Sequence, residues 1–427
     1  MRRVARNFGL LLRGRWIAAV MAFAATTLSA RALGPSDFGI IVLLQAYVFL
    51  VRGIIDFQPF EAIVRFGVAL HDQNQQPALA RLSKLCLRFD HGSALVAAAL
   101  AMLLAPVAGY FLKLEQTPVL MLAAYSLTLL ATGNGTAMGL LRLYDRFDVI
   151  GRQMLVGPLI RVIGVGIAFV LQAGLSTYVG IWALAYVSEN LYLNWCGWRE
   201  YQRRIGTAEG SDGQPRARLS EFAGLREFLW VTYWQSTLDL VPKHLSLLLA
   251  GAMLGPAGAG LFRLAREYSS LLAKPAVLIR QVVFPDLTRS WQQRSADFAH
   301  VTWRTAGLGG AFGLLFVVIG WLAGAAVLTR IVGPAFAAAA PVLTLLLLAA
   351  AFNLAAAPLR AATYAIGHAG AVLRLHGFAS VVFLLLFIGL VPWLGLIGAG
   401  ISTVLGALIP LVGMGMLIRQ LRQPPKS

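Results

Sequence analysis

About twelve stretches of some 20 mainly apolar residues follow one another along this chain, and the connections between them hold most of its arginines. A stretch of that length crosses the hydrocarbon core of a bilayer as a helix, because in lipid every backbone N–H and C=O must bond within its own segment. The stretches run over approximately 14–32, 39–58, 90–112, 118–140, 151–172, 177–197, 228–254, 258–284, 303–329, 340–363, 371–392 and 396–418. With 58% hydrophobic and only 13% charged residues, the expected fold class is an all-α polytopic membrane protein.

The string LGPSDFG at Leu33 to Gly39 returns as LGPAGAG at Leu254 to Gly260, 221 positions later. Each copy closes one apolar stretch and opens the next. A repeat at half the chain length implies two pseudo-symmetric six-helix bundles, and in transporters built this way the substrate path lies between the halves. The segment GTAEGSDGQPRAR at Gly206 to Arg218 has the composition of a linker. The organisation expected is therefore a bundle over 1–205, a cytoplasmic linker over 206–220 and a second bundle over 221–427.

A net charge of +18 raises nucleic acid as a partner, but a nucleic-acid protein gathers its cations on one wet face, whereas these alternate between apolar stretches. Twenty-five Lys and Arg fall in connections on one side of the expected topology and three (Arg31, Lys113, Arg330) on the other. That bias puts both termini in the cytoplasm. LSARA at Leu28 to Ala32 resembles a signal-peptide cleavage site and Arg2-Arg3 a twin-arginine signal, but the internal copy of the Leu33 motif argues that the first helix is retained. Asn134-Gly135-Thr136 fits a glycosylation triplet inside an expected span and is read as chance.

Cys86 and Cys196 sit in apolar surroundings without ligand spacing, and the six histidines are scattered. Neither a metal nor a cofactor is expected. The external connections are short, and a clustered base, nucleophile or metal set is lacking, so the chain does not read as an enzyme.

The informative residues are the charges inside apolar stretches, each of which costs about 2.5 to 3.5 kcal/mol at a helix centre and so faces a cavity or a partner. Arg161 lies midway along its span with no carboxylate at helical spacing. Arg263, Arg266, Glu267, Ser270 and Lys274 follow i, i+3, i+4, i+7 and i+11 and form one stripe, net positive. The alternative reading of the stripe is an ion pair of Arg263 or Arg266 with Glu267. Arg52 with Asp56, and Asp239 with Lys243, stand four apart and can close intrahelical pairs. Glu189, Asp239, Glu267 and Asp56 are the acidic candidates for coupling to an ion, with a hydrogen-bonded helix contact the alternative for Glu189.

A wet cationic space within a bilayer suits an anionic headgroup, since phosphate at that depth needs Arg or Lys to replace its lost water. The candidates to line it are Arg161, Arg263, Arg266, Lys274, Arg52 and Lys243.

ARALGPSDFG at Ala30 to Gly39, IIDF at Ile54 to Phe57, FPDLT at Phe284 to Thr288, IVGPAF at Ile331 to Phe336 with APVL at Ala340 to Leu343, and GLIGAGIST at Gly395 to Thr403 resemble the polysaccharide transport family. These are oligosaccharide flippases of the multidrug/oligosaccharidyl-lipid/polysaccharide exporter superfamily. The resemblance implies two six-helix lobes in a V around a central cationic cavity. It also implies movement of undecaprenyl-diphosphate-linked oligosaccharide (O-antigen, exopolysaccharide or capsule units) to the periplasmic leaflet of the bacterial inner membrane. Membrane lipids, a polysaccharide polymerase and chain-length proteins are the partners it suggests. After Asp56-Phe57 that family usually carries glycine where this chain has Gln58-Pro59, so the second helix is expected to break differently there. A lipid II flippase is disfavoured by the uncharged first span between Trp16 and Ala30 and by the absence of two further C-terminal helices. A cation-coupled multidrug antiporter is disfavoured by the excess of buried cations over acids.

Overall fold

The computed structural model describes residues 2–206, 218–240, 244–292 and 297–420, with side chains described throughout these except at 2–13, 235, 237–240, 272–288, 290, 292, 297 and 369. The described chain is helical, and eight of its helical segments are long and apolar enough to cross a membrane. The helices are α1 (Arg2–Ile54), α2 (Pro59–Asp72), α3 (Gln76–Phe111), α4 (Gln116–Ser126), α5 (Gly135–Leu143), α6 (Phe147–Val170), α7 (Leu175–Arg204), α8 (Leu225–Leu240), α9 (Ser246–Gln292), α10 (Asp297–Ile331), α11 (Ala340–Ala365) and α12 (Ala369–Gln420). Outward faces carry Leu103, Tyr110, Trp321 and Trp393, all well over half exposed, as lipid contact requires.

The repeated motif fixes two of the kinks inside the described helices; a third falls at Gly395 in α12. Gly34 breaks α1 at φ 73°, ψ 178°, and Gly255 breaks α9 at φ 74°, ψ −179°. Both conformations are left-handed, where a side chain is strained, and the following proline restarts the helix in each case. Five residues on, a Cβ added to Gly39 would overlap the carbonyl oxygen of Pro256, and one added to Gly260 would overlap that of Pro35. Each copy of the motif thus seats its last glycine on the other copy's proline.

Packing divides the chain into one unit of 1–33 and 43–245 and a second of 34–42 and 246–427. The division falls after Leu245, beyond the expected linker; residues 207–217 of that linker lie outside the described residues. The physical reason is that α8 belongs with the first unit. Phe228 meets Phe66 of α2 edge-on at 5.8 Å, and the Arg65 guanidinium lies over the Phe228 ring at 4.6 Å.

The first unit differs from expectation in its fourth span. Where 118–140 reads as one apolar helix, the chain forms α4, a 3₁₀ segment over Leu127–Thr132, and α5 after a break at Gly133-Asn134. Between α1 and α3 the short helix α2 was not anticipated. Gln58, which stands where the resembled family carries glycine, adopts a left-handed φ of 52° just before it. Asp56 supports that turn, its Oδ1 accepting from the Gln58 N–H at 3.3 Å and its Oδ2 from Nε2 at 2.8 Å. The backbone turn is therefore the one a glycine would make, held by a side chain. At the end of this unit where α3 begins and α7 ends, Glu200 accepts from Arg146 at 2.7 Å and Arg204 at 3.2 Å, and Arg81 pairs with Glu221 at 2.5 Å.

In the second unit α11 packs against α9, α10 and α12. Small residues allow close approach: Gly313 lies on Ala351, and Gly309 on the Leu354 backbone. Phe38 and Phe336, both buried, meet edge-on at 6.3 Å and fix the motif segment to this unit.

Candidate functional site

The first unit contains a cavity of about 570 Å³ into which charged and amide side chains from α1, α5, α6 and α7 face together. Arg52 and Asp56 come from the end of α1, Asn134 and Arg142 from the two ends of α5, Gln153 and Arg161 from α6, and Glu189 and Asn190 from α7. Phe49, Phe60 and Tyr186 supply aromatic wall.

Each arginine is held by a different device. Arg52, 8% exposed, lies 3.4 Å from Asp56 and donates to the carbonyls of Thr132 and Ile55, also at 3.4 Å. Arg142 rests its guanidinium on the Phe60 ring, 4.7 Å from the centroid. Arg161 sits 5.0 Å over the Trp182 ring, and its Nε finds no hydrogen-bond partner among the described residues. A guanidinium on an aromatic face keeps its in-plane N–H groups available for a planar anion. Glu189 faces the same space, accepting from Gln153 Nε2 at 3.1 Å and lying against Gly157, which has no side chain to exclude it. Three cations face two carboxylates, so the cavity is net positive.

The break before α5 borders this space with Thr132, Asn134 and Gly135. Asn134 at the start of α5 bonds to Asn190, and Asn190 in turn donates to the Tyr186 carbonyl at 2.7 Å. An asparagine in that position ordinarily caps its own helix; here the cap comes from α3. Asp90, fully buried, accepts both the Thr136 N–H and its Oγ1–H at 2.5 Å through Oδ2. A carboxylate at a helix N-terminus is also favoured by the helix dipole.

Of the residues singled out in the sequence, Arg161, Arg52, Asp56 and Glu189 are brought together, and the Arg52–Asp56 pair is made. Arg263 and Arg266 lie in the second unit. There Arg263 pairs with Glu267 at 3.0 Å, the alternative reading of the stripe, while Arg266 donates to Ser246 Oγ at 3.1 Å. The side chains of Lys274 and Asp239, and Lys243 altogether, lie outside the described residues. Arg142 was missed because it reads as a connection residue after a continuous span, and Asp90 because it stands between Arg88-Phe89 and His91 at the edge of one. A search for a glycine pair interrupting an apolar run would have flagged the first.

A family model described as "Polysaccharide biosynthesis protein" matches residues 4–291. The inner membrane protein YghQ of Escherichia coli K12 is 25% identical over 289 residues, covering 67% of this chain and 81% of YghQ. Among solved structures, an inward-facing multidrug resistance MATE family transporter of the MOP superfamily superposes with a TM-score of 0.67 at 16% identity, covering 96% of each chain. A MOP superfamily transporter from Pyrococcus furiosus superposes with a TM-score of 0.55 at 13% identity, over 99% of this chain and 96% of that one. At these identities the structures establish a shared fold.

Proposed function

We propose that this chain, which belongs to the polysaccharide biosynthesis protein family, is a flippase. Its substrate is undecaprenyl-diphosphate-linked oligosaccharide, carried from the cytoplasmic to the periplasmic leaflet of the bacterial inner membrane by alternating access. The observation that carries the reading is the meeting of Arg52, Arg142 and Arg161 in one cavity with the amides Gln58, Asn134, Gln153 and Asn190. A diphosphate needs desolvated guanidinium groups, and sugar hydroxyls need neutral donors and acceptors beside aromatic faces. This cavity offers both.

Arg161 is the principal phosphate ligand in this mechanism, because the Trp182 face holds it without consuming its donors. Arg142 is the second. Arg52, already shared with Asp56 and two carbonyls, sets the background potential. Glu189, facing the same cavity as Arg161, is the group whose neutralisation would strengthen anion binding and whose ionisation would favour release, which makes it the first candidate for ion coupling.

The second reading, a cation-coupled antiporter of small organic molecules, draws on the MATE fold and on Asp56 and Glu189 in the cavity. A lipid II flippase would use the same arginines with a different sugar. The test is transport of a fluorescent undecaprenyl-diphosphate oligosaccharide in proteoliposomes containing the full chain. Protected fluorophore that depends on the protein and on Arg161 is the expected result. Transport of cationic drugs that requires Glu189 and ignores Arg161→Ala would overturn the proposal in favour of the antiporter.

A further inference from the structure

A second cavity, of about 470 Å³, lies on the other side of α5, between α3 and α7. Its floor is Thr136, Ala137 and Leu140 of α5, while Asn134, Met138 and Arg142 of the same helix face the polar cavity. The groove exists because α5 is only nine residues long and because Gly197 of α7 lies directly on Ala137, so no side chain fills the space above. Its walls are Leu87 and His91 of α3 and Leu191 and Asn194 of α7, with Trp195 and Trp198, both over half exposed, along α7.

The chemistry changes along the groove. Toward the end where α3 begins and α7 finishes stand Lys84, Trp198 and Tyr201, with Trp198 stacked on Tyr201 at 5.4 Å. Arg199, exposed, lies 5.7 Å over the Trp195 ring. Lys and Arg beside Trp and Tyr at one level of a helix bundle mark the headgroup region of a bilayer, and the groove runs inward from it over Leu140 and Ala137 toward Thr136, His91 and Asn194.

We propose that this groove is a binding site for an anionic phospholipid, one acyl chain lying on α5 between the α3 and α7 walls and the phosphate held between Lys84 and Arg199. Charge complementarity selects the headgroup, and the Trp195–Trp198 wall selects a chain over water. The proposal is independent of the transport substrate. It places a lipid one helix away from Arg142 and Asn134.

The test uses the full-length protein in phosphatidylcholine vesicles doped with either brominated phosphatidylglycerol or brominated phosphatidylcholine, with tryptophan quenching as the readout. The signal from the groove is the difference between wild type and the double variant Trp195→Phe/Trp198→Phe; the other tryptophans serve as the folding control. The expected result is half-quenching of that component at an about fivefold lower mole fraction of the anionic lipid. In Lys84→Gln/Arg199→Gln the two curves coincide while the control signal is unchanged. Coincident curves in the wild type, a preference that persists in the charge variant, or quenching by neither lipid would each overturn the proposal, the last indicating that protein covers the groove.

Discussion

Asp90 caps a helix to which it does not belong: from α3 it accepts both the backbone N–H and the hydroxyl of Thr136 at the start of α5, each at 2.5 Å. Asn134 makes no side-chain cap to its own helix, its Nδ2 donating to Asn190 instead, and the first turn of α5 is capped by that distant carboxylate. Asp90→Ala leaves two donors without an acceptor in a fully buried site and is expected to cost about 1–3 kcal/mol. Thr136→Val removes one of the two bonds and should cost less. Thermal unfolding in detergent, with both single variants and the double variant, measures the coupling; additive losses would contradict the shared cap.

Arg161→Ala is expected to abolish transport while leaving the protein folded and inserted, since its guanidinium rests on the Trp182 ring and faces the cavity. Arg161→Lys should retain part of the activity, because a point charge survives but the planar fork does not. Trp182→Leu should fall between the two, removing an interaction worth about 0.5–2 kcal/mol. Transport assays in proteoliposomes at matched protein level decide the order; full activity in Arg161→Ala removes this residue from the site.

Glu189→Gln is expected to tighten binding of inorganic pyrophosphate and slow turnover, because an anion is removed from beside Arg161. Isothermal titration and initial transport rates read the two effects separately. Weaker pyrophosphate binding in this variant would mean that Glu189 positions the cavity instead of opposing its ligand.

Glu200, nearly buried, serves Arg146 and Arg204 together. Its bond to Arg146 is the shorter and less exposed, and hydrogen bonding to Asp148 and to Glu200 holds the Arg146 guanidinium above its ordinary pKa. Glu200→Gln is expected to destabilise by about 1.5 kcal/mol. In double-mutant cycles the Arg204 coupling should fade in high salt while the Arg146 coupling persists.

Gly39→Val or Gly260→Val should each prevent folding or force the motif segments apart, as a Cβ at either position overlaps a carbonyl oxygen. Gly166→Ala, where a Cβ meets open space, is the control that should leave yield and unfolding temperature unchanged.

What the sequence disclosed and what it hid divide along physical lines. The kinks at Gly34 and Gly255 were legible because Gly-Pro inside an apolar run has one conformational meaning. Arg161 was legible because a lone charge at mid-span is costly wherever it points. The α4–α5 break leaves no mark in hydropathy, since Leu127 to Thr132 is apolar, and only the glycines at 133 and 135 signal it. With it were hidden Arg142, which the break turns inward, and Asp90, whose role depends on a helix start 46 positions away. The stripe on α9 shows the converse limit: Arg263 and Glu267 satisfy both a wet-face pattern and an ion pair, and only the 3.0 Å contact distinguishes them.

The reciprocal seating of Gly39 on Pro256 and of Gly260 on Pro35 has an evolutionary corollary. After a duplication, paired segments ordinarily drift apart at their own pace, as Ser36-Asp37-Phe38 and Ala257-Gly258-Ala259 have, but neither terminal glycine can acquire a side chain unless the opposite proline retreats. Mutual steric confinement thus acts as a molecular fossil bed, preserving at this one junction the likeness that the remainder of the two halves was free to lose.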